Sequence, residues 1–364
     1  MPEPWKSSGV PPVTRRTFLG GLAGVGAATV AWGDPSTQEP TGGRIMTVSG
    51  PIPPDALGRT LIHEHVVVDF IGASRTSPER FDTAEAYRLA LPHLKRLRGQ
   101  GVSALVECTP RHIGRRPTLL KQLAEASGMH LLTNTGWYAA VDHKYLPPEA
   151  GRLSASEIGD RWLAEWREGI DETGIRPGFL KLGTGSGPLP PVDSTLLTAA
   201  ARVHRETGLA IFVHTGDGAA ARDEVRILRE NGVAPEALVW VHAQNDPGPI
   251  QLELARLGVW ISLDGYSLAP PNALRYPTMA SALRDAGLLH RLLLSHDDGW
   301  AVEGDAPSGN RLTLFGNGNP SPYESVFTRL VPDLRRRGFS EADLTQVLVT
   351  NPREVLTLRR RLTS

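Results

Sequence analysis

A single cysteine, Cys108, is all the thiol this 364-residue chain has, which excludes an internal disulfide. It closes the apolar run Ala104-Leu105-Val106-Glu107-Cys108, where a packed core thiol is expected. Net charge is missing too: 39 lysines and arginines offset 39 aspartates and glutamates. That balance gives no pull toward nucleic acid or an acidic membrane surface. The longest apolar run, residues 19–32, falls short of the roughly 20 residues that a membrane-spanning helix needs, so no stable membrane anchor is expected. There is no internal repeat and no low-complexity tract. No glycine-rich phosphate turn follows the first strand candidate, which weighs against an open doubly wound sheet.

What is present begins with an address. Thr14-Arg15-Arg16-Thr17-Phe18-Leu19 sets a twin-arginine pair before the Gly/Ala-rich run, and Ala31 and Gly33 have the small-residue spacing of a signal peptidase site. Residues 1–33 therefore read as a removable twin-arginine signal peptide that sends the folded protein to the periplasm or beyond. Residues 34–44 read as a polar Pro/Gly/Thr linker, and 45–364 as the mature domain. With 40% hydrophobic residues, that domain can bury a large core, and a globular enzyme is the default class.

Short apolar runs alternate with amphipathic stretches along the domain. Strand candidates are 60–62 running into His63, then 104–108, 130–134, 178–181, 210–213, 238–241, 259–263 and 291–295. Helical patterns cover 83–100, 156–173, 194–207 before Gly208, and 247–257 before Gly258. Eight such units in about 320 residues predict an α/β fold, the (β/α)8 TIM barrel, whose active sites lie at the C-terminal strand ends. Segment 299–323, rich in Gly, Pro and Asn, is expected to be a long loop after the eighth strand, a candidate lid or substrate wall.

Six polar residues close these strands. His63 and His65 flank Glu64, and because residues i and i+2 of a strand share a face, both imidazoles can grip one ion while Glu64 turns away. His214 closes Ile211-Phe212-Val213, His242 closes Val239-Trp240-Val241, Lys181 closes Gly178-Phe179-Leu180, and Asp297 ends Leu294-Ser295-His296. Any one of these histidines alone would more often be a hydrogen-bonded structural residue than a ligand. Six residues on five strand ends form one candidate metal site. His93, His112, His130, His143, His204 and His290 lie on helices, loops or strand starts and are read as structural or solvated. His296 and Glu64 face away from the ligands and are at most supporting groups.

In order and spacing, this set resembles the metal-ligand pattern of the phosphotriesterase family of the amidohydrolase superfamily, across essentially the whole mature domain. The resemblance implies two divalent ions, usually zinc. It implies carbon dioxide bound as a carbamate on Lys181, which bridges the ions together with a hydroxide. His63, His65 and Asp297 would take the more buried ion and His214 and His242 the more exposed one. Such an ion pair holds hydroxide at neutral pH and polarises a carbonyl or phosphoryl oxygen. Asp297 would accept the proton as the hydroxide attacks.

Tyr138, in Gly136-Trp137-Tyr138, resembles the tyrosine that family lactonases carry beside the metals. This leans toward a small-molecule ester or lactone as substrate, with phosphotriester hydrolysis as a side activity. Two lactonase features are absent: an arginine after the seventh strand, where this chain has Asp264-Gly265-Tyr266, and an aspartate where it has Asn245. Amide hydrolysis on the same site is one alternative, and a metal-bound binding protein without activity is another. Trp137, Trp300 and Tyr266 are candidates to line an apolar pocket. A homodimer is compatible with the sequence.

Overall fold

Two sets of apolar side chains, drawn from alternate positions of the same strands, build this fold. The computed structural model describes residues 43–316 and 318–363. The expected export signal, 1–33, and most of the linker lie outside the described residues. The barrel strands are β1 (Thr60–Glu64), β2 (Ala104–Glu107), β3 in two pieces (His130–Leu132 and Asn134–Thr135) and β4 (Phe179–Gly183). They continue with β5 (Ile211–His214), β6 (Leu238–Val241), β7 (Trp260–Leu263) and β8 (Leu292–Leu294). Val106, Leu132, Phe179, Phe212, Val239 and Leu293 pack into one buried cluster, the barrel interior. Their neighbours Leu105, Leu131, Leu180, Ile211, Leu238 and Leu292 join a second cluster with helix residues such as Leu94, Leu123, Leu163 and Leu228. Both faces of every strand are therefore buried, which is why the strands read as continuous apolar runs.

The strands pair in parallel and in sequence order. The first piece of β3 pairs with β2, the second with β4, so the break at Thr133 hands the sheet from one register to the next. The circle closes between β8 and β1: Asp297 N donates to His63 O at 3.2 Å, and His63 N donates to Ser295 Oγ at 3.0 Å. Around it run helices α1 (Thr83–Gly99), α2 (Pro117–Ser127), α3 (Ala155–Glu168), α4 (Pro191–Thr207), α5 (Gly218–Glu230), α6 (Pro249–Leu257) and α7 (Asn272–Asp285). Asp82 caps α1 and a Ser154/Glu157 capping box starts α3. Gly208 and Gly258 end α4 and α6 in the left-handed conformation, as the sequence predicts. The third helix stops earlier than its pattern suggests, because Gly169 at φ 100° breaks it at Glu168. Among the described residues, no helix is long and apolar enough to cross a membrane.

Segment 299–323 departs from expectation. It contains an antiparallel hairpin, β9 (Gly299–Glu303) and β10 (Arg311–Phe315), and β9 also pairs in parallel with Val67–Val68. Glycine and asparagine outside these strands hide two β-prone stretches, Trp300-Ala301-Val302 and Leu312-Thr313-Leu314.

Candidate metal centre

Strand parity delivers two of the six candidate ligands directly. Phe179 points into the barrel, so Lys181 does too, and Phe212 does the same for His214. The others need help from the backbone. In β1, Leu61 pairs with Leu105 but Glu64 with Glu107, a bulge of one residue that turns His63 toward the barrel mouth although its neighbour Ile62 is already interior. His242 and Asp297 follow their strands in left-handed backbone, each at φ 63°. For non-glycine residues this conformation is costly, and such strain gathers at functional sites.

All six residues line one pocket of about 140 Å³, with Tyr138 at its side. Asp297 Oδ1 lies 3.3 Å from His63 Nε2 and 3.0 Å from His65 Nε2. The ligand atoms of this trio all fall within 4.8 Å of one another, so they fit a single ion. The ring centroids of His63 and His242 are 5.0 Å apart and those of His242 and His214 are 4.5 Å apart, which continues the set around the pocket.

The electrostatics suit cations. Burial alone would raise the Asp297 carboxyl, yet the hydrogen bonds from His63 and His65 hold it well below the usual carboxylate range. Burial and the neighbouring His242 and Lys181 push His214 well below an ordinary imidazole, leaving its lone pair free. Burial also lowers the Lys181 amine. Among the described residues, its Nζ donates only to Leu182 O at 3.1 Å and lies 5.2 Å from the Tyr138 ring centre, with no carboxylate in salt-bridge contact. An ammonium is poorly served here, whereas an uncharged amine can take up carbon dioxide.

Supporting groups fix the rings. Asp264 accepts from His242 Nδ1 at 2.7 Å, and Ser262 Oγ donates to it at 2.6 Å. His65 Nδ1 and Thr109 Oγ1 are 2.8 Å apart, and Thr109 hydrogen-bonds Glu107, whose carboxyl burial pushes up to about 7. Glu64 turns away as expected and bridges β1 to β8 by accepting from Ser295 Oγ at 2.6 Å, His296 Nδ1 at 2.7 Å and Asp298 N at 3.0 Å. With each Nδ1 turned toward a supporting oxygen, His63, His65 and His242 present Nε2 to the pocket. Sequence reasoning missed Asp264, Glu107 and Thr109. Their one visible trait was a polar residue closing an apolar strand, the same trait that marked His214.

Three expectations need correcting. Trp137, Trp300 and Tyr266 do not line the pocket: Trp137 packs edge-on against Trp162, Trp300 against Tyr323, and Tyr266 against Tyr276. The apolar lining is Val68, Phe70, Ile113 and Phe315 instead. Cys108 is buried as expected but also lines the pocket. Asn245 is exposed in a turn after His242 and does not line it. Tyr138 lies where the sequence places it, its backbone bridged to Gly183, and a Cβ on Gly183 would meet the tyrosine ring at 2.6 Å, so only glycine leaves it room.

A parallel barrel with imidazoles, a lysine and a carboxylate gathered at its strand ends is a design shared by a large class of enzymes. The chain belongs to the Phosphotriesterase family, whose sequence profile matches residues 43–356. The phosphotriesterase homology protein of Escherichia coli (strain K12) is 29% identical over 302 residues, covering 82% of this chain and 97% of that protein. The N-acetyltaurine hydrolase of Tetraodon nigroviridis is 28% identical over 355 residues, covering 87% and 99%. The solved structure of the organophosphorus hydrolase from Deinococcus radiodurans superposes with a TM-score of 0.77 at 30% identity, covering 88% of this chain and 99% of that one.

Proposed function

We propose that this chain is an exported, binuclear metal-dependent hydrolase that cleaves a carboxylic ester or lactone, with slow phosphotriester hydrolysis as a side activity. One observation carries the reading: six candidate ligands from five strand ends face a single pocket, and the lysine among them is buried without a carboxylate partner among the described residues. His63, His65 and Asp297 would hold one ion, His214 and His242 the other, and Lys181 both. When bound, the metals, zinc in this proposal, supply an activated water and polarise the scissile group.

The protein's own residues do the rest. Lys181 would hold the carbon dioxide: its nitrogen lone pair would form the C–N bond as one C–O π bond opens onto oxygen, an N–H proton would leave to solvent, and the resulting carbamate would supply an anionic ligand. Asp297, held ionised, accepts the proton that the attacking water gives up. Tyr138 donates its hydroxyl proton in a hydrogen bond to the substrate oxygen on which charge develops.

Amide hydrolysis is the second reading, favoured by relatives named N-acetyltaurine hydrolase. Assaying the metal-reconstituted protein against lactones, aryl esters, phosphotriesters, N-acetyltaurine and dipeptides separates the two. A phosphotriester turned over faster than every ester and lactone would overturn the ester reading, and so would an amide. Export rests on Arg15 and Arg16, and replacing both with lysine should leave the protein in the cytoplasm.

A further inference from the structure

Eight rings close a circuit around the pocket. Four are His65, His63, His242 and His214. The other arc runs from His65 to Phe315 at 6.0 Å between centroids, on to Phe70 at 5.4 Å, to Tyr145 at 6.2 Å, to Tyr138 at 5.7 Å and back to His214 at 5.0 Å. The first arc carries candidate metal ligands, Tyr138 stands where the second arc meets them, and Phe70 and Phe315 lie on the part of the second arc left for a group that does not react. Among the described residues lining the pocket, Lys181 is the only lysine or arginine, and the proposed function assigns it to the metals. A group resting on the second arc meets aromatic faces and aliphatic carbon. Lys144 Nζ lies 5.5 Å from the Tyr145 ring but outside the pocket lining, and among the described residues the lining beside Phe70 and Phe315 offers an anion no cationic side chain.

The arc is held by a device outside the pocket. Arg80 and Asp69 are both buried and form an ion pair, with Arg80 Nε donating to Asp69 Oδ2 at 2.8 Å and Nη2 to Oδ1 at 3.1 Å. The same guanidinium donates to Gly304 O at 2.9 Å and to Ala306 O, in the turn of the β9–β10 hairpin. Asn310 Nδ2 donates to Arg80 O at 2.9 Å and directly precedes the strand that ends at Phe315. Asp69 is the residue before Phe70. A single ion pair thus sits behind both phenyl rings, one by direct chain connection and one through the hairpin. An apolar pair of equal volume would fill this space without the cost of burying charge, but only the planar fork aims at two carbonyls and a carboxylate at once.

We propose that Phe315 and Phe70 select the substrate's non-reacting group, accepting an uncharged aromatic or short apolar group and refusing an anionic one, and that Asp69 and Arg80 are the positioning pair that holds them. This rests on the metal-dependent hydrolase reading and narrows its substrate class.

Ester and amide cleavage both release a carboxylate, so carboxylates probe the wall whichever bond is cut. Calorimetric titration of the zinc-loaded protein with acetate, butanoate, phenylacetate and 3-sulfopropanoate should rank phenylacetate and butanoate above acetate. It should place 3-sulfopropanoate about tenfold or more below butanoate. Phe315→Ala should cut the phenylacetate-to-acetate affinity ratio about tenfold. Arg80→Lys keeps the charge but loses the fork, and should cut the same ratio while hydrogen exchange across residues 311–315 rises. Phe315→Ala leaves the ion pair untouched, so it tests the wall even where an Arg80 variant folds poorly. An unchanged ratio in Phe315→Ala overturns the selection, as does 3-sulfopropanoate binding as tightly as butanoate, or wild-type protein binding none of the four. A ratio lost in Phe315→Ala but kept in Arg80→Lys, with exchange unchanged, overturns the positioning role. A wild type that hydrolyses no ester, lactone or amide defeats the hydrolase reading, while these ratios still decide the wall.

Discussion

The carboxylate of Asp264 accepts a hydrogen bond from Nδ1 of His242 at 2.7 Å, and its second oxygen stands 3.4 Å from Nδ1 of His63. The second distance is that of an ion pair without hydrogen-bond geometry, yet it lies in the same direction, behind the ring. One buried carboxylate thereby orients an imidazole from each half of the candidate site. Burial would raise this carboxyl, but His242 and His63 hold it well below its ordinary range.

Asp264→Asn keeps the shape and removes the charge, and the amide can present its NH2 group to Nδ1 instead of an acceptor. Both imidazoles then lose their preferred tautomer. The expected result is about a 10- to 100-fold loss of metal affinity, affecting both ions together, because one residue serves a ligand of each. Competitive titration with a chromophoric chelator measures it. Loss of one ion with the other bound at wild-type affinity would show that Asp264 supports His242 alone.

Lys181→Ala should lose metal and most activity, since no ordinary side chain supplies two anionic oxygens at the end of β4. Short carboxylic acids such as acetate or propanoate, added with the metal, should restore part of both. Elemental analysis of the wild type should find about two divalent ions per chain, because a bridging anion is useful only between two cations. A variant with unchanged metal content and rate would reduce Lys181 to a structural lysine.

The parts of the site legible in sequence are those that follow strand parity. Lys181 two residues after Phe179 and His214 two after Phe212 need nothing more than alternation. His63 next to interior Ile62, and His242 next to interior Val241, break parity, and the bulge in β1 and the left-handed turn at His242 restore them to the pocket. Position at a strand end found these residues; their geometry was not readable. Phe315 was hidden for a different reason. Its strand exists through pairing with β9, which pairs in turn with Val67–Val68, 233 positions upstream, and no local window contains that partner. Asp264 and Glu107 close their strands as visibly as the ligands do, but sequence does not say whether a carboxylate faces the pocket or an imidazole.

Glu224 sets a pH dependence of stability that the metal site does not. It is fully buried on α5 between Thr184 and Thr215, accepting from Thr184 Oγ1 at 2.7 Å, and burial raises its carboxyl to about 8. Below about 4.5 both folded and unfolded chains hold the proton. Between there and about 8 the unfolded chain releases it while the folded one keeps it, so stability falls as pH rises across that window. Glu224→Gln stays neutral throughout and should flatten the decline in unfolding midpoint between pH 5 and 8. Glu107 and Asp298, both raised to about 7, contribute with the same sign, so a smaller slope remains. Equal slopes in both proteins would mean that Glu224 is ionised in the fold.

Tyr138 separates the substrate readings. Burial, with the Asp297 carboxylate nearby, pushes its phenol well above the usual range, so across working pH it remains a hydrogen-bond donor. Its ring is fixed between Tyr145 and His214, which leaves the hydroxyl few positions to occupy. A fixed donor stabilises only the oxyanion geometry it is aimed at, and losing one costs up to roughly 3–4 kcal/mol of transition-state stabilisation. If acyl transfer is the natural reaction, Tyr138→Phe should lower kcat on esters or lactones by about 100-fold or more while KM changes little. Slow phosphotriester turnover should barely change, because five-coordinate phosphorus places its charged oxygens elsewhere. Matching losses on both substrate classes would mean that the ring shapes the pocket and the hydroxyl does no chemistry. A large loss confined to phosphotriesters would reverse the assignment and make the ester activity the side reaction.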